Sequence, residues 1–421
     1  MSFKKTSTLF FIYWLTILTT QGQNSPFSSI GIGNIRSNGY IAQDGLAGAG
    51  IALSNPLYVN NLNPALLTAN RQFIFEVGVS GQLQQLSDDQ FTQQDFAANL
   101  GYFGLLLPLS KKWSGQIGLK PYSTVEYEIN TSEPIPGSDF NADYTYIGSG
   151  GLNSFFFSNG VNVGKNLNLG LKINYIFGAL ETESISQVRT GGFNTNVVSF
   201  ERLNVGDLIF TPAISYTYPL NDKTNLSAGI VYDVGVQANT RQFRSVERRD
   251  PLGGPLSIDT LVVDEATSIF LPQKLQAGLA YEKRNRWAIA ADFTWQPWQE
   301  YRESDEEVGL QNTIGVALGG QYTPDFGAVK GLFKRATYRV GVRYQQLPIE
   351  VNGNQVNDVG INFGTSLPIG VNQLATTYLH LGFAVGQRGS LSENDLQERY
   401  IQFSLGASLS DLLWFRRPKI N

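Results

Sequence analysis

Along most of this chain, apolar and polar residues change places at every second position. That is the period of a strand with two unlike faces. In 167–177 the odd positions are Leu167, Leu169, Leu171, Ile173, Tyr175 and Phe177. Asn168, Gly170, Lys172 and Asn174 oppose them, with Ile176 as the exception. In 287–295, Trp287, Ile289, Ala291, Phe293 and Trp295 oppose Ala288, Ala290, Asp292 and Thr294. In 338–344, Tyr338, Val340, Val342 and Tyr344 face away from Arg339, Gly341 and Arg343. Near the end, Ile401, Phe403, Leu405, Ala407 and Leu409 oppose Gln402, Ser404, Gly406 and Ser408.

Strands are predicted at 72–82, 97–108, 113–127, 150–162, 167–180, 205–218, 224–243, 266–282, 287–301, 311–322, 336–348, 355–368, 375–388 and 399–409. The even total of about 14 suits closure of an antiparallel barrel, and closure implies one domain.

A soluble sandwich would alternate in the same way. Two further features point to a membrane barrel instead. Aromatic residues gather at strand ends, as Trp113, Trp287, Trp295, Trp298, Tyr301, Tyr322 and Tyr344 do. Interfacial girdles lie there. Connections also alternate in length. Short ones at 109–112, 220–223, 283–286 and 370–374 alternate with long polar ones at 83–95, 132–148 and 388–398. The connection 323–335 is longer than its place in that order predicts.

The N-terminus places the chain outside the cytoplasm. Lys4 and Lys5 precede the apolar run 9–18, and polar residues 19–23 follow. This is the form of a signal peptide, read here as 1–23 with cleavage near Gln23. Its removal takes the formal charge from −4 to −6, which excludes a nucleic-acid partner. With no cysteine there is neither a lipid anchor nor a disulfide framework. Forty-four Gly, 19 Tyr and 26 Phe beside only 16% charged residues fit a transmembrane β-barrel better than a water-soluble domain.

A barrel of 14 strands is too wide for its own side chains to fill. The segment 45–67, GLAGAGIALSNPLYVNNLNPALL, offers a filling. Its small residues and two Asn-Pro steps, Asn55-Pro56 and Asn63-Pro64, forbid a long helix or central strand. They suit an irregular segment packed closely inside something else.

The form GxAGAGxA…NPAL ahead of such a barrel resembles the FadL-type family of long-chain fatty acid outer-membrane transporters. Gly45, Ala47, Gly48, Ala49, Gly50, Ala52 and Asn63-Pro64-Ala65-Leu66 carry the match. Weaker echoes are 101–104 before Leu107-Pro108, 120–123, and Leu271-Pro272. The resemblance covers most of the mature chain, with the hatch motif as its specific part. It implies an all-β, 14-stranded antiparallel transmembrane β-barrel (70–421) with an N-terminal hatch (24–69) inside the lumen.

Family likeness further implies a hydrophobic ligand and lateral release beside a kinked third strand. That strand is 113–127, where Pro121 cannot donate a ladder bond and Gly118 weakens the strand further; an ordinary bulge at a strand end is the competing reading. The hatch residues expected to matter are Gly45, Gly48, Gly50, Asn55, Pro56, Asn63, Pro64 and Ala65.

Little points to catalysis. His380 is the single histidine, on the polar face of 378–386, and no nucleophile-elbow motif accompanies it. It is expected to be a hydrogen-bonded lumen residue, and no enzyme, cofactor or metal is expected. Lys120, Lys172, Arg339 and Arg343 fall on lumen faces and could receive a carboxylate. The competing expectation is that they pair with Asp233, Asp292 or the hatch. Glu300, Glu303, Asp305, Glu306 and Glu307 form an acidic external loop, and Arg241, Arg244, Arg248 and Arg249 a basic one. Both are read as solvated surface, with divalent-ion binding as the competing reading of the first, which lacks calcium-loop spacing, and lipopolysaccharide phosphates as that of the second. Trp414 and Phe415, before a basic tail, would anchor at the periplasmic interface.

The function expected first is passive uptake of small hydrophobic molecules such as long-chain fatty acids. The mostly polar external segment 83–95 motivates an alternative, because a capture groove would expose apolar residues there. That alternative is a non-transporting barrel subunit of a multiprotein outer-membrane complex, serving protein secretion or barrel assembly. The partners expected are outer-membrane lipid and lipopolysaccharide, a hydrophobic small molecule, or protein partners in the outer membrane of a Gram-negative cell.

Overall fold

A computed structural model describes residues 25–37, 39–188, 195–250, 252–371 and 375–411. Residues 1–24, with the expected signal peptide, and the tail 412–421, with the expected anchors Trp414 and Phe415, lie outside the described residues. Successive antiparallel strands close into a 14-stranded barrel. They are β1 (Phe73–Ser87), β2 (Thr92–Pro108), β3 (Trp113–Pro121, Ser123–Thr124 and Tyr127–Pro134) and β4 (Asn141–Asn162). Next come β5 (Leu167–Val188), β6 (Asn196–Asn221), β7 (Thr224–Asp233 and Val236–Arg249) and β8 (Pro255–Leu271 and Lys274–Lys283). β9 (Trp287–Gln296 and Arg302–Glu303), β10 (Glu306–Glu307 and Thr313–Tyr322) and β11 (Thr337–Val351) follow. β12 (Asn354–Val371), β13 (Ala375–Ser390) and β14 (Leu396–Asp411) complete the wall. The ring closes where β1 pairs with β14, from Phe73↔Asp411 to Ser87↔Gln397. Among the described residues no helix is long and apolar enough to cross a membrane.

The alternation seen in the sequence becomes two faces. Tyr338, Val340, Val342, Ile401, Phe403 and Leu405 point outward and stay exposed, forming an apolar belt. Their neighbours Lys172, Asp292, Arg339 and His380 point inward and are buried. Ile176, the exception in β5, faces inward and is buried with Leu152 and Ile209.

Several expectations need correction. The segment 83–95 is not a loop: Leu83↔Phe96 to Ser87↔Thr92 are paired, and only 88–91 turn. Residues 132–148 are likewise mostly paired, from Ser132↔Asp143 downward. Polar residues are tolerated there because the strands rise past the apolar belt into water. Within 388–398, β13 runs on to Ser390 and a one-turn helix, Leu391–Asn394, makes the connection. Arg241, Arg244, Arg248 and Arg249 lie in β7, where Arg244 pairs with Glu201 (3.4 Å) and Arg249 with Glu183 (2.9 Å). Trp298 and Tyr301 are not girdle residues. Beyond Gln296 the chain leaves the wall in a 3₁₀ turn and buries both rings at 2% and 1% exposure.

β3 breaks after Pro121. Its ladder with β2 ends at Phe103↔Leu119, and the last pair toward β4 is Pro121↔Asn153. Ser123–Thr124 steps inward and pairs with a two-residue strand of the N-terminal segment, Asn34↔Thr124 and Ile35↔Ser123. A Cβ on Gly151 of β4 would stand 2.9 Å from Thr124 Cα, and Gly151 has φ +139°. Only glycine accepts both conditions. Tyr127–Pro134 then pairs with β4, leaving the upper half of β2 without a partner strand on that side among the described residues.

Candidate functional site: the filled lumen

Residues 25–37 and 39–70 run inside the barrel and are mostly buried. Short local devices fix their path. Asn63 caps the 3₁₀ turn Pro64–Ala69, its side chain accepting from Ala65 N at 2.9 Å. Pro64 fits the first helical position, where its missing N–H goes unused. Asn63 Nδ2 also donates to Ile51 O (2.9 Å) and to Ile214 O of β6 (3.2 Å). Asn55 Oδ1 accepts from Leu57 N at 2.8 Å, turning the chain at Pro56. Gly48 and Gly50 both take positive φ, +85° and +139°. Gly45 meets Gly364 of β12 so closely that a Cβ on either would stand 2.9 or 2.8 Å from the other's Cα.

The wall holds this segment by its backbone. Lys120 Nζ donates to Ser37 O at 2.9 Å and Lys172 Nζ to Asn61 O at 2.9 Å. Asn362 Nδ2 donates to Asp44 O at 2.7 Å. Glu76 of β1 accepts from Val59 N at 2.7 Å. Asp292 Oδ2 accepts from both Gly50 N (2.7 Å) and Ile51 N (2.9 Å). Arg339 donates to Tyr58 OH and to Ser366 Oγ (2.7 Å for the latter). Buried carbonyls and amides of an irregular segment need such partners, because water cannot reach them. Three of the four lumen cations named from sequence are therefore bonded to the N-terminal segment.

The fourth, Arg343, belongs to a network within the wall. It lies 3.6 Å from Asp358 and bonds Tyr400 OH and Asn362 Oδ1. Arg388 bridges Asp358 (3.2 Å) and Glu398 (2.9 Å), and Ser25 Oγ donates to Glu398 at 2.6 Å. Asp233 pairs with Lys274 at 3.2 Å instead of with the four cations named from sequence. His380 sits between Ser366 Oγ and Ser408 Oγ, 2.6 Å from each, fully buried. Gly118 lies in an unbroken ladder between Gly104 and Phe156, and a side chain there would strike the Phe156 ring.

The first part of the N-terminal segment is packed into an apolar cluster. Phe27 and Ile32 pack with Val125, Tyr127, Leu152 and Ile176, and the cluster reaches Trp298 and Tyr301. It touches the β3 break through Tyr122 and Val125. Sequence reasoning missed this cluster and also Glu76, Asp358, Arg388 and Glu398. Their signal was an acid, a base or an apolar residue at an inward position of an alternating strand.

Comparison with known proteins places this geometry. The CymD monoaromatic hydrocarbon channel superposes with a TM-score of 0.56 at 15% identity, covering 90% of this chain and 98% of that one. A Pseudomonas aeruginosa FadL homologue gives 0.58 at 14% identity, covering 90% and 99%. The P. putida toluene transporter TodX gives 0.54 at 16%, covering 89% and 99%. At such identities the likeness is one of fold. No curated protein matches the chain. The BamG family model matches residues 1–421, and this chain belongs to that family of outer-membrane barrels.

Proposed function

We propose that this protein is a plugged barrel working as a subunit of a larger outer-membrane assembly, of the secretion or barrel-assembly kind. The carrying observation is the use made of the lumen cations. Lys120, Lys172 and Arg339 are bonded to the N-terminal segment, and Arg343 is bonded within the wall. A fatty acid carboxylate would have to displace one of these bonds to enter. Residues 24–69 act in this reading as a seal, with Gly45 and Asn63-Pro64-Ala65 fixing its shape against the wall. Membership in the BamG family supports the same reading. Tagged protein recovered from native outer membranes in mild detergent is expected with other outer-membrane components in fixed ratio. Recovery of free monomer alone would sink the proposal.

A second reading, passage of small hydrophobic molecules such as long-chain fatty acids, is favoured by one observation. The apolar cluster around Phe27 and Ile32 reaches the strand break that follows Pro121. In this reading Gly118 and Pro121 mark a side exit toward lipid. A deletion strain that takes up labelled fatty acid and toluene at the parental rate would reject it.

A further inference from the structure

β4 to β8 rise beyond the barrel as an open sheet, with Tyr127–Pro134 of β3 at one edge and the first part of β8 at the other. Ladders run without interruption across β4–β5, β5–β6 and β6–β7 at this height. β8 pairs with β7 down to Arg249↔Pro255. On its other side the first part of β8, Pro255–Leu271, meets only a two-residue strand among the described residues, through Ile269↔Glu303 and Phe270↔Arg302. The edge over 256–266 therefore has no neighbouring strand among the described residues.

The two edges differ in chemistry. Tyr127–Pro134 carries Glu128, Asn130, Ser132, Glu133 and Pro134, the residues that blunt an edge against pairing. The β8 edge carries Leu256, Ile258, Leu261 and Val263 at 49%, 59%, 55% and 68% exposure. A long apolar edge left open in water is what strand addition uses, since main-chain bonds give affinity and alternate side chains give selectivity. Its charges are Asp259, Asp264 and Glu265, and the hairpin beside it adds Glu303, Asp305, Glu306 and Glu307 against Arg302. Of the four arginines behind it, Arg244 and Arg249 are paired with Glu201, Glu183 and Glu247, while Arg241 and Arg248 stand exposed opposite Ala266 and Ser257, so that carboxylates outnumber the remaining arginines along this edge. The edge is thus apolar and acidic, and complementary to an apolar and basic strand.

We propose that 256–266 of β8 is a strand-addition site for an extended, lysine- or arginine-bearing segment of a partner protein in the outer membrane. This rests on the subunit reading above and names the surface and the chemistry of the contact.

The test compares the full-length barrel alone in detergent with the assembly recovered from native membranes. Amide hydrogen exchange over 256–266 should slow at least about tenfold in the assembly, while 127–134 exchanges unchanged. Ile258→Lys with Val263→Lys should release the protecting partner, while the barrel still migrates as a folded band in an unheated gel. Equal exchange in both samples, or equal protection of both edges, overturns the proposal and leaves the subunit reading standing. Cross-links from 256–266 only to a second copy or only to lipopolysaccharide also overturn it. If free barrel alone is recovered, the subunit reading falls, and a synthetic ten-residue peptide alternating valine and lysine decides the edge. Protection of 256–266 by that peptide, and not by its valine–glutamate counterpart, upholds strand addition. No protection, or equal protection by both, ends it.

Discussion

Asp292 of β9 holds Gly50 by its backbone: one carboxylate oxygen accepts the Gly50 N–H at 2.7 Å and the next N–H, of Ile51, at 2.9 Å. Asp292 is 6% exposed, so these charge-assisted bonds replace water that the carboxylate has lost. Asp292→Ala leaves both amides unpaired and should destabilise the docked segment by about 2–4 kcal/mol. Limited proteolysis within 45–60 should accelerate, and an unchanged cleavage rate would contradict the pinning role.

The approach of Gly45 to Gly364 sets a second prediction. A valine at either position has to displace main chain, because its Cβ would lie within 3 Å of the facing Cα. Gly364→Val should cost about 1–3 kcal/mol by overpacking, lowering the melting temperature of the purified barrel in detergent. Gly164, which has open space around it and no positive φ, gives the control substitution on the same protein.

Lys120→Met with Lys172→Met keeps both apolar stems and removes two donors from Ser37 O and Asn61 O. Each lost charged bond should weaken docking by roughly 1.5–3 kcal/mol. If the segment seals the lumen, cells carrying the pair should become several-fold more sensitive to large antibiotics normally excluded by the outer membrane. Parental sensitivity, with the barrel present at normal abundance, would argue that sealing does not depend on these lysines.

Burial holds the Asp44 carboxyl up, from 3.8 to about 6, with Arg343 pulling the other way. The native protein therefore binds this proton more tightly than the unfolded chain does. Its contribution to stability is greatest below about 4 and falls as pH rises through 6. Asp44→Asn should stabilise the barrel by roughly 1–2 kcal/mol at pH 7.5 and leave it unchanged at pH 4. Melting curves at the two pH values check both the sign and the window.

Much of the wall was legible because a half-buried strand writes its two faces into alternate residues. The strands at 287–295, 338–344 and 401–409 stand where alternation places them, and the inward residues Lys172, Arg339 and His380 follow from the same period. Polar strands were less legible. Near the turn at 88–91 both faces of β1 and β2 meet water, the contrast between faces fades, and 83–95 reads as a loop although it is paired.

The small residues of 45–67 announced a segment with close neighbours, and Asn63-Pro64 announced a cap. Sequence could not say which carbonyl each lysine would reach, or that Asp292 would choose Gly50 and Ile51 over a lysine. Those choices join residues 83 to 242 positions apart, and only closure of the barrel brings them within 3 Å.

By itself, then, the sequence determined a closed antiparallel barrel with an apolar outside, a polar inside and a glycine-rich N-terminal filling. Tertiary structure alone decided three things: the pairing of the lumen charges, the step of β3 onto Asn34–Ile35, and the open edge of β8. The physical reason is range. Alternation is a local property of side chains along one strand, whereas pinning, breaks and edges depend on which distant backbone stands alongside.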